Sequence, residues 1–183
     1  MIIGVDFDNT IFPTLEAVIE LYNDRYGKQI SFDAINTYSL YDCFDTNVAN
    51  KIIDIFCERE LYDNLRPYPG ATHALKTLSE YGHTILILTA TDADNLKWKE
   101  ALIQRYFPFI LKDNIIRVHN KKLIKTDVLI DDCLDQLTNS MCERVCFDQL
   151  YNKNSIKDMV YGIHRVTSWN DVCDVVKNLE EKE

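Results

Sequence analysis

Met1-Ile2-Ile3-Gly4-Val5-Asp6-Phe7-Asp8-Asn9-Thr10 opens the chain, an apolar and β-branched run that turns abruptly polar at Asp6. An unbroken apolar run of this length is the mark of a strand buried on both faces, as strands of parallel sheets are. It brings polar groups to its tip, and that is where chemistry is expected. Asp6 and Asp8 stand two apart there, and an irregular turn is expected to set both carboxylates toward one pocket. Asn9 and Thr10 suit such a turn.

Working outward, Leu15, Val18, Ile19, Tyr22 and Tyr26 recur at helical spacing and stop before Gly27, and a second helix is expected around 49–57. Pro67-Tyr68-Pro69-Gly70 then punctuates the chain ahead of a helix over 71–81 and a strand over 84–88. A long helix is expected over 95–106, with short strands at 115–118, 128–130 and 144–147. The 128–130 strand runs into Asp131-Asp132, so a second acid pair follows a strand. Ser168 reads as the N-cap of a last helix over 169–180.

Alternating strands and helices of these lengths give an α/β fold: a Rossmann-like, doubly wound parallel sheet with helices on both faces, binding ligands beyond the carboxyl ends of its strands. Asp6, Thr89 and Asp131 lie at such ends. The stretch from the first strand to Pro67 is too long for an ordinary crossover. It reads as a small helical cap over 14–66, inserted into a core formed by 1–13 and 67–183, that closes on the substrate and excludes water.

The chain has 183 residues, enough for one domain with a small insertion, and its 46% hydrophobic and 27% charged residues are ordinary for a globular protein. A net charge of -9 argues against a nucleic-acid polymer as partner, since binding one rests on Lys and Arg neutralising its phosphates. No run is long and apolar enough to cross a bilayer, so no membrane partner and a cytoplasmic location are expected. Six cysteines without CxxC spacing read as reduced, small core residues rather than a metal or redox centre. A homodimer is compatible with such a chain.

In-line phosphoryl transfer needs a nucleophile, a cation to neutralise phosphate oxygens and an acid for the leaving alkoxide. Asp6 and Asp8 can divide the first and last tasks if their environments differ. Asp131 and Asp132 add the acidic oxygens that a hard cation such as magnesium selects. Thr89 can donate to a phosphate oxygen, and a lysine from Lys121-Lys122 can balance charge. Taken singly, an Asp-x-Asp is commonly a turn, a Thr after a strand a helix cap, and a Lys pair a solvated face. Their order along the chain and their placement at strand ends make the joint reading an active site.

These four segments, Asp6 to Thr10, Thr89, Lys121 and Asp131-Asp132, resemble the motifs of the haloacid-dehalogenase-like phosphohydrolases. Within that superfamily the chain is most similar to the 5'(3')-deoxyribonucleotidases. The likeness is carried by Leu65-Arg66-Pro67-Tyr68-Pro69-Gly70-Ala71, by 127–132, by Phe147-Asp148-Gln149 with Tyr151-Asn152, and by Val166-Thr167-Ser168-Trp169. The resemblance implies Asp6 as nucleophile, Asp8 as acid/base, and Thr89 and Lys121 as the phosphate holders. It also implies Mg2+ on Asp6, the Asp8 backbone carbonyl, Asp131 and Asp132, with a small phosphate monoester, a nucleotide, as substrate.

Two positions depart from the family pattern: Ala90 stands where Ser is usual and Cys133 where Arg is usual. Thr91 or a cap residue would have to make up those contacts. Phe12, Phe32, Tyr38, Tyr41 and Phe44 offer a stacking surface for a base or, alternatively, the cap's own core. Competing readings are a phosphatase for another small metabolite or for nucleic-acid 3' ends, and a binding module without turnover.

Overall fold

The structure, a computed structural model, describes residues 1–138, 140–153 and 157–181. Its sheet is built from β1 (Ile2–Asp6), β2 (Thr84–Thr89), β3 (Ile115–Arg117), β4 (Val128–Asp131), β5 (Glu143–Phe147) and β6 (His164–Val166). All pair in parallel, in the order β3-β2-β1-β4-β5-β6. The chain therefore winds outward from β1 to one edge, returns, and winds to the other edge. The reversal falls between β1 and β4, where the loops leave in opposite directions and a crevice opens.

The strand pattern explains why the sheet is covered on both sides. Ile3, Val5, Ile85, Ile87, Val128, Ile130, Val145 and Phe147 join the main core, while their neighbours Leu88, Leu129 and Cys146 belong to a smaller cluster. The main core is supplied by long helices: α5 (Ala71–Glu80) and α9 (Trp169–Glu180) pack on each other, and α6 (Ala93–Tyr106) packs on β3. The smaller cluster is closed by α7 (Leu134–Leu137), which packs on β4 and β5. The two faces are thus both helical, as expected, but unequally so.

Segment 14–66 holds α1 (Thr14–Tyr26), α2 (Leu40–Cys43), α3 (Thr46–Ile55) and α4 (Arg59–Asp63), with no strand among the described residues. α1 packs on α3 and α4, and α4 packs on α6 of the sheet domain. Gly27 ends α1 in a left-handed conformation with φ 58°, its N–H donating to the Asn23 carbonyl. α3 begins earlier than its apolar pattern suggests because Asp45 caps it, accepting from Asn47 and Val48 at 3.0 and 3.1 Å. β6, α7 and α8 (Lys157–Tyr161) are short elements that the sequence pattern does not single out. Among the described residues no helix is long and apolar enough to cross a membrane.

Candidate active site

β1 delivers Asp6 and β4, its neighbour, delivers Asp131, so the two carboxylates meet in the crevice at the reversal point. Asp132 follows at once, and oxygens of Asp6, Asp131 and Asp132 all lie within 4.8 Å of one another. Lys121 stands between them: its ammonium contacts Asp6 Oδ1 and Asp131 Oδ2 at 2.6 Å each, with the side chain 4% exposed. The structure thus brings together Asp6, Asp131, Asp132 and, of the adjacent pair, Lys121 rather than Lys122.

The chain turns sharply after β1. Ile11 and Phe12 both donate to the Phe7 carbonyl, and Asn9 adopts the left-handed region at φ 56°. The Asn9 side-chain oxygen accepts from the Leu15 N–H at 2.9 Å, and the Asn9 backbone carbonyl accepts from Gln149 Nε2 at 2.6 Å. Residues two apart in an extended strand already share a face, so this turn is not what aligns Asp6 with Asp8. Its work is to bury Phe7, stacked on Phe12 at 4.5 Å, and to fold the chain back beside the crevice.

Asp8 and Thr89 are joined by a residue that the sequence reading passed over. Lys99 of α6 is 2% exposed, and its ammonium bonds both Asp8 Oδ2 and, at 2.9 Å, Thr89 Oγ1. Nothing in Asn95-Leu96-Lys97-Trp98-Lys99-Glu100 separates Lys99 from a solvated lysine. Burial of a charge appears only once the helix is placed on its neighbours.

Asp132 is fixed on several sides. Tyr151 donates to its Oδ2 at 2.5 Å, the Asn152 amide donates to its backbone carbonyl at 2.7 Å, and Thr10 reaches Oδ1 at 3.4 Å. Asn152 is held in turn by Arg165, which also pairs with Asp148 at 2.7 Å. The Cys133 N–H donates to Asp131 Oδ1 at 2.9 Å.

Electrostatics within this cluster are lopsided. Burial pushes Asp6 up to about 7; the Lys121 charge pulls it down, and the Asp131 and Asp8 charges push it up. Asp132 is raised well above the carboxylate range by burial and then by the charges of Asp6 and Asp131. Burial alone would lower Lys121, but Asp131 and Asp6 outweigh it and hold the ammonium charged. Four carboxylates, Asp6, Asp8, Asp131 and Asp132, face two ammonium groups, Lys99 and Lys121, an excess of two negative charges when all are ionised. A cluster of hard oxygen donors with that excess fits one divalent cation of the magnesium type. The Asp8 carboxylate, engaged by Lys99, is not part of the three-acid group.

A cleft of about 390 Å³ opens beside Asp8 and Lys99, lined from the carboxyl end of the sheet and from segment 14–66. Of the aromatic residues read as a stacking surface, only Tyr38 lines it. Phe12 is buried in the core, Phe32 and Phe44 pack against it, and Tyr41 donates to Asn50. Phe56 and Tyr62 form the aromatic wall instead. Ala90 and Thr91 both border the cleft. Cys133 meets the Tyr38 hydroxyl, and the Tyr38 ring stands edge-on to Tyr151 at 5.9 Å. A larger groove of about 740 Å³ along 121–129 and 140–144 holds none of the clustered acids.

The doubly wound sheet is the fold of haloacid-dehalogenase-like hydrolases of known structure. The chain superposes on a hydrolase of that group from Deinococcus radiodurans with TM-score 0.68 at 12% identity, over 97% of this chain and 95% of the other. A haloacid-dehalogenase-like protein of Agrobacterium tumefaciens gives 0.66 at 10% identity, over 98% of each. The family model described as "5' nucleotidase, deoxy (Pyrimidine), cytosolic type C protein" matches residues 1–182. Curated relatives include the 5'(3')-deoxyribonucleotidase of Clostridium acetobutylicum, 32% identical over 98% of this chain and 96% of its own. That of Bacillus subtilis is 28% identical over 93% and 95%. The chain belongs to this 5'-nucleotidase family and is, with it, a phosphoric monoester hydrolase.

Proposed function

We propose that the protein is a magnesium-dependent 5'(3')-deoxyribonucleotidase working through an aspartyl-phosphate intermediate. The observation that carries this reading is the Lys121 ammonium set between Asp6 and Asp131 in the crevice, 2.6 Å from each, with Asp132 alongside. A buried carboxylate beside a buried cation is a nucleophile placed next to the charge that a phosphoryl group would meet. A family of deoxyribonucleotide phosphatases supplies the substrate class.

In this reading an Asp6 oxygen attacks phosphorus while the bond from phosphorus to the leaving oxygen breaks, and Asp8 gives that oxygen its proton. Asp8 then takes a proton from water as the water oxygen attacks phosphorus, the bond to Asp6 breaks, and inorganic phosphate leaves. Thr89 donates its hydroxyl to a phosphate oxygen and Lys121 balances the phosphate's charge. Asp6, Asp131, Asp132 and the Asp8 carbonyl are the groups that would hold Mg2+, which supplies charge neutralisation for the phosphate oxygens. Segment 14–66 serves as the cap, and Tyr38, Phe56 and Tyr62 give the nucleoside an apolar wall. The net charge of -9 and the reduced cysteines suit a cytoplasmic enzyme acting on free nucleotides.

The test is phosphate release from deoxyribonucleoside, ribonucleoside and sugar monophosphates, with magnesium and with chelator. The expected result is release from deoxynucleotides that chelator stops and that Asp6→Asn abolishes. Release from sugar phosphates alone would keep the chemistry and overturn the substrate. Release that Asp6→Asn leaves unchanged would overturn the mechanism.

A further inference from the structure

We propose that Lys99 is a positioning residue that locks the Asp8 carboxylate and the Thr89 hydroxyl in one register, so that the acid/base work of Asp8 depends on it. The proposal rests on the roles given above to Asp6 and Asp8.

Three segments meet at this lysine: the turn after β1 through Asp8, the end of β2 through Thr89, and the helix that follows β2 through Lys99 itself. Its ammonium also stands 4.8 Å from the centre of the Phe7 ring, the residue between the two aspartates. Burying an ammonium is costly, and an apolar residue of the same length would pack at less cost. What the lysine gains is orientation. Asp8 Oδ2 is taken by Lys99, while its other oxygen, Oδ1, is buried and makes no hydrogen bond in the structure. The pairing therefore fixes the rotation of the carboxylate where Asp8 borders the substrate cleft, and no other hydrogen bond holds it there. Holding Thr89 by the same ammonium ties the phosphate-binding hydroxyl to that orientation. A positioned general acid or base contributes through geometry first, so a carboxylate free to rotate loses most of its effect.

The test separates this from a purely structural lysine and from a phosphate ligand by its dependence on the leaving group. p-Nitrophenolate leaves without a proton, so the first half-reaction of p-nitrophenyl phosphate needs no acid, while the second half still needs a base. Lys99→Met is expected to release a rapid burst of about one p-nitrophenolate per active site and then turn over slowly. Deoxynucleotide turnover should fall by about 100-fold, without a burst of nucleoside and with little change in KM. Lys99→Arg, which keeps the charge, should recover part of the deoxynucleotide rate. Raised KM with loss of the p-nitrophenolate burst would overturn the proposal in favour of a phosphate ligand, and wild-type rates on both substrates would overturn it outright. Melting curves check folding, and Lys99→Gln carries the same expectations if Lys99→Met does not fold. Asp8→Asn is run alongside. A burst from Asp8→Asn with none from the Lys99 variants sinks the positioning role alone, whereas no burst from Asp8→Asn sinks the underlying acid/base assignment.

Discussion

Asn9 shows how one residue can connect sequence to site. Its φ of 56° lies where side chains other than Gly, Asn and Asp are strained, and its amide oxygen also accepts from the first turn of α1. Asn9→Ala is expected to cost about 1–2 kcal/mol, from strain and from the lost bond to Leu15. Asn9→Gly, which keeps the backbone conformation, should cost less. Paired denaturant titrations measure the difference, and an equal cost for both would show that only the lost hydrogen bond matters. The same scale divides the legible from the hidden. Asp6, Asp8, Thr89, Asp131 and Asp132 could be picked out because each follows an apolar strand. Lys99 could not, because a helical lysine is polar whichever way it faces.

Helices and strands were read well where a cap or a long apolar period marks them. Ser168 was expected to start the last helix, and it does: its side chain accepts from the Asp171 N–H while Asp171 answers to the Ser168 N–H. Ser168→Ala should remove about 1 kcal/mol and lower Tm by about 2–4 °C, readable by thermal melting with the fold otherwise intact. β6 went unread because His164-Arg165-Val166 carries no apolar run, unlike the equally short β3, and its partner β5, not its own composition, makes it a strand. The aromatic residues before Pro67 were read as a stacking surface or as the cap's own core, and their division between core and cleft follows from how α1, α3 and α4 pack.

For the molecule as a whole, the acid cluster couples stability to pH and to cation. Asp6 has its pKa raised from 3.8 to about 7, chiefly by burial, so its ionised form is disfavoured in the folded state. Its contribution is therefore intact below about pH 4 and is lost as pH rises through 7. A divalent cation held by the cluster offsets that loss only where the carboxylates are ionised. Added magnesium should accordingly raise Tm more at pH 8 than at pH 5, and melting curves at the two values with and without chelator decide it. An equal shift at both would mean that the cation binds elsewhere.

The sequence by itself determined the architecture: strand-length apolar runs ending in acids, alternating with helical periods, leave a parallel sheet as the way to bury both faces of each strand. It also placed five acidic or hydroxyl groups at the ends of three strands. Only the tertiary structure decided which strands lie side by side, and so that Asp6 meets Asp131 across the reversal point. It also decided that Lys99 is buried against Asp8, and that Phe56 and Tyr62 face the cleft. The reason is physical. Local periodicity reports whether a side chain will be buried, but a buried charge is recognised by its partners, and those partners stand 10 to 115 residues away along the chain.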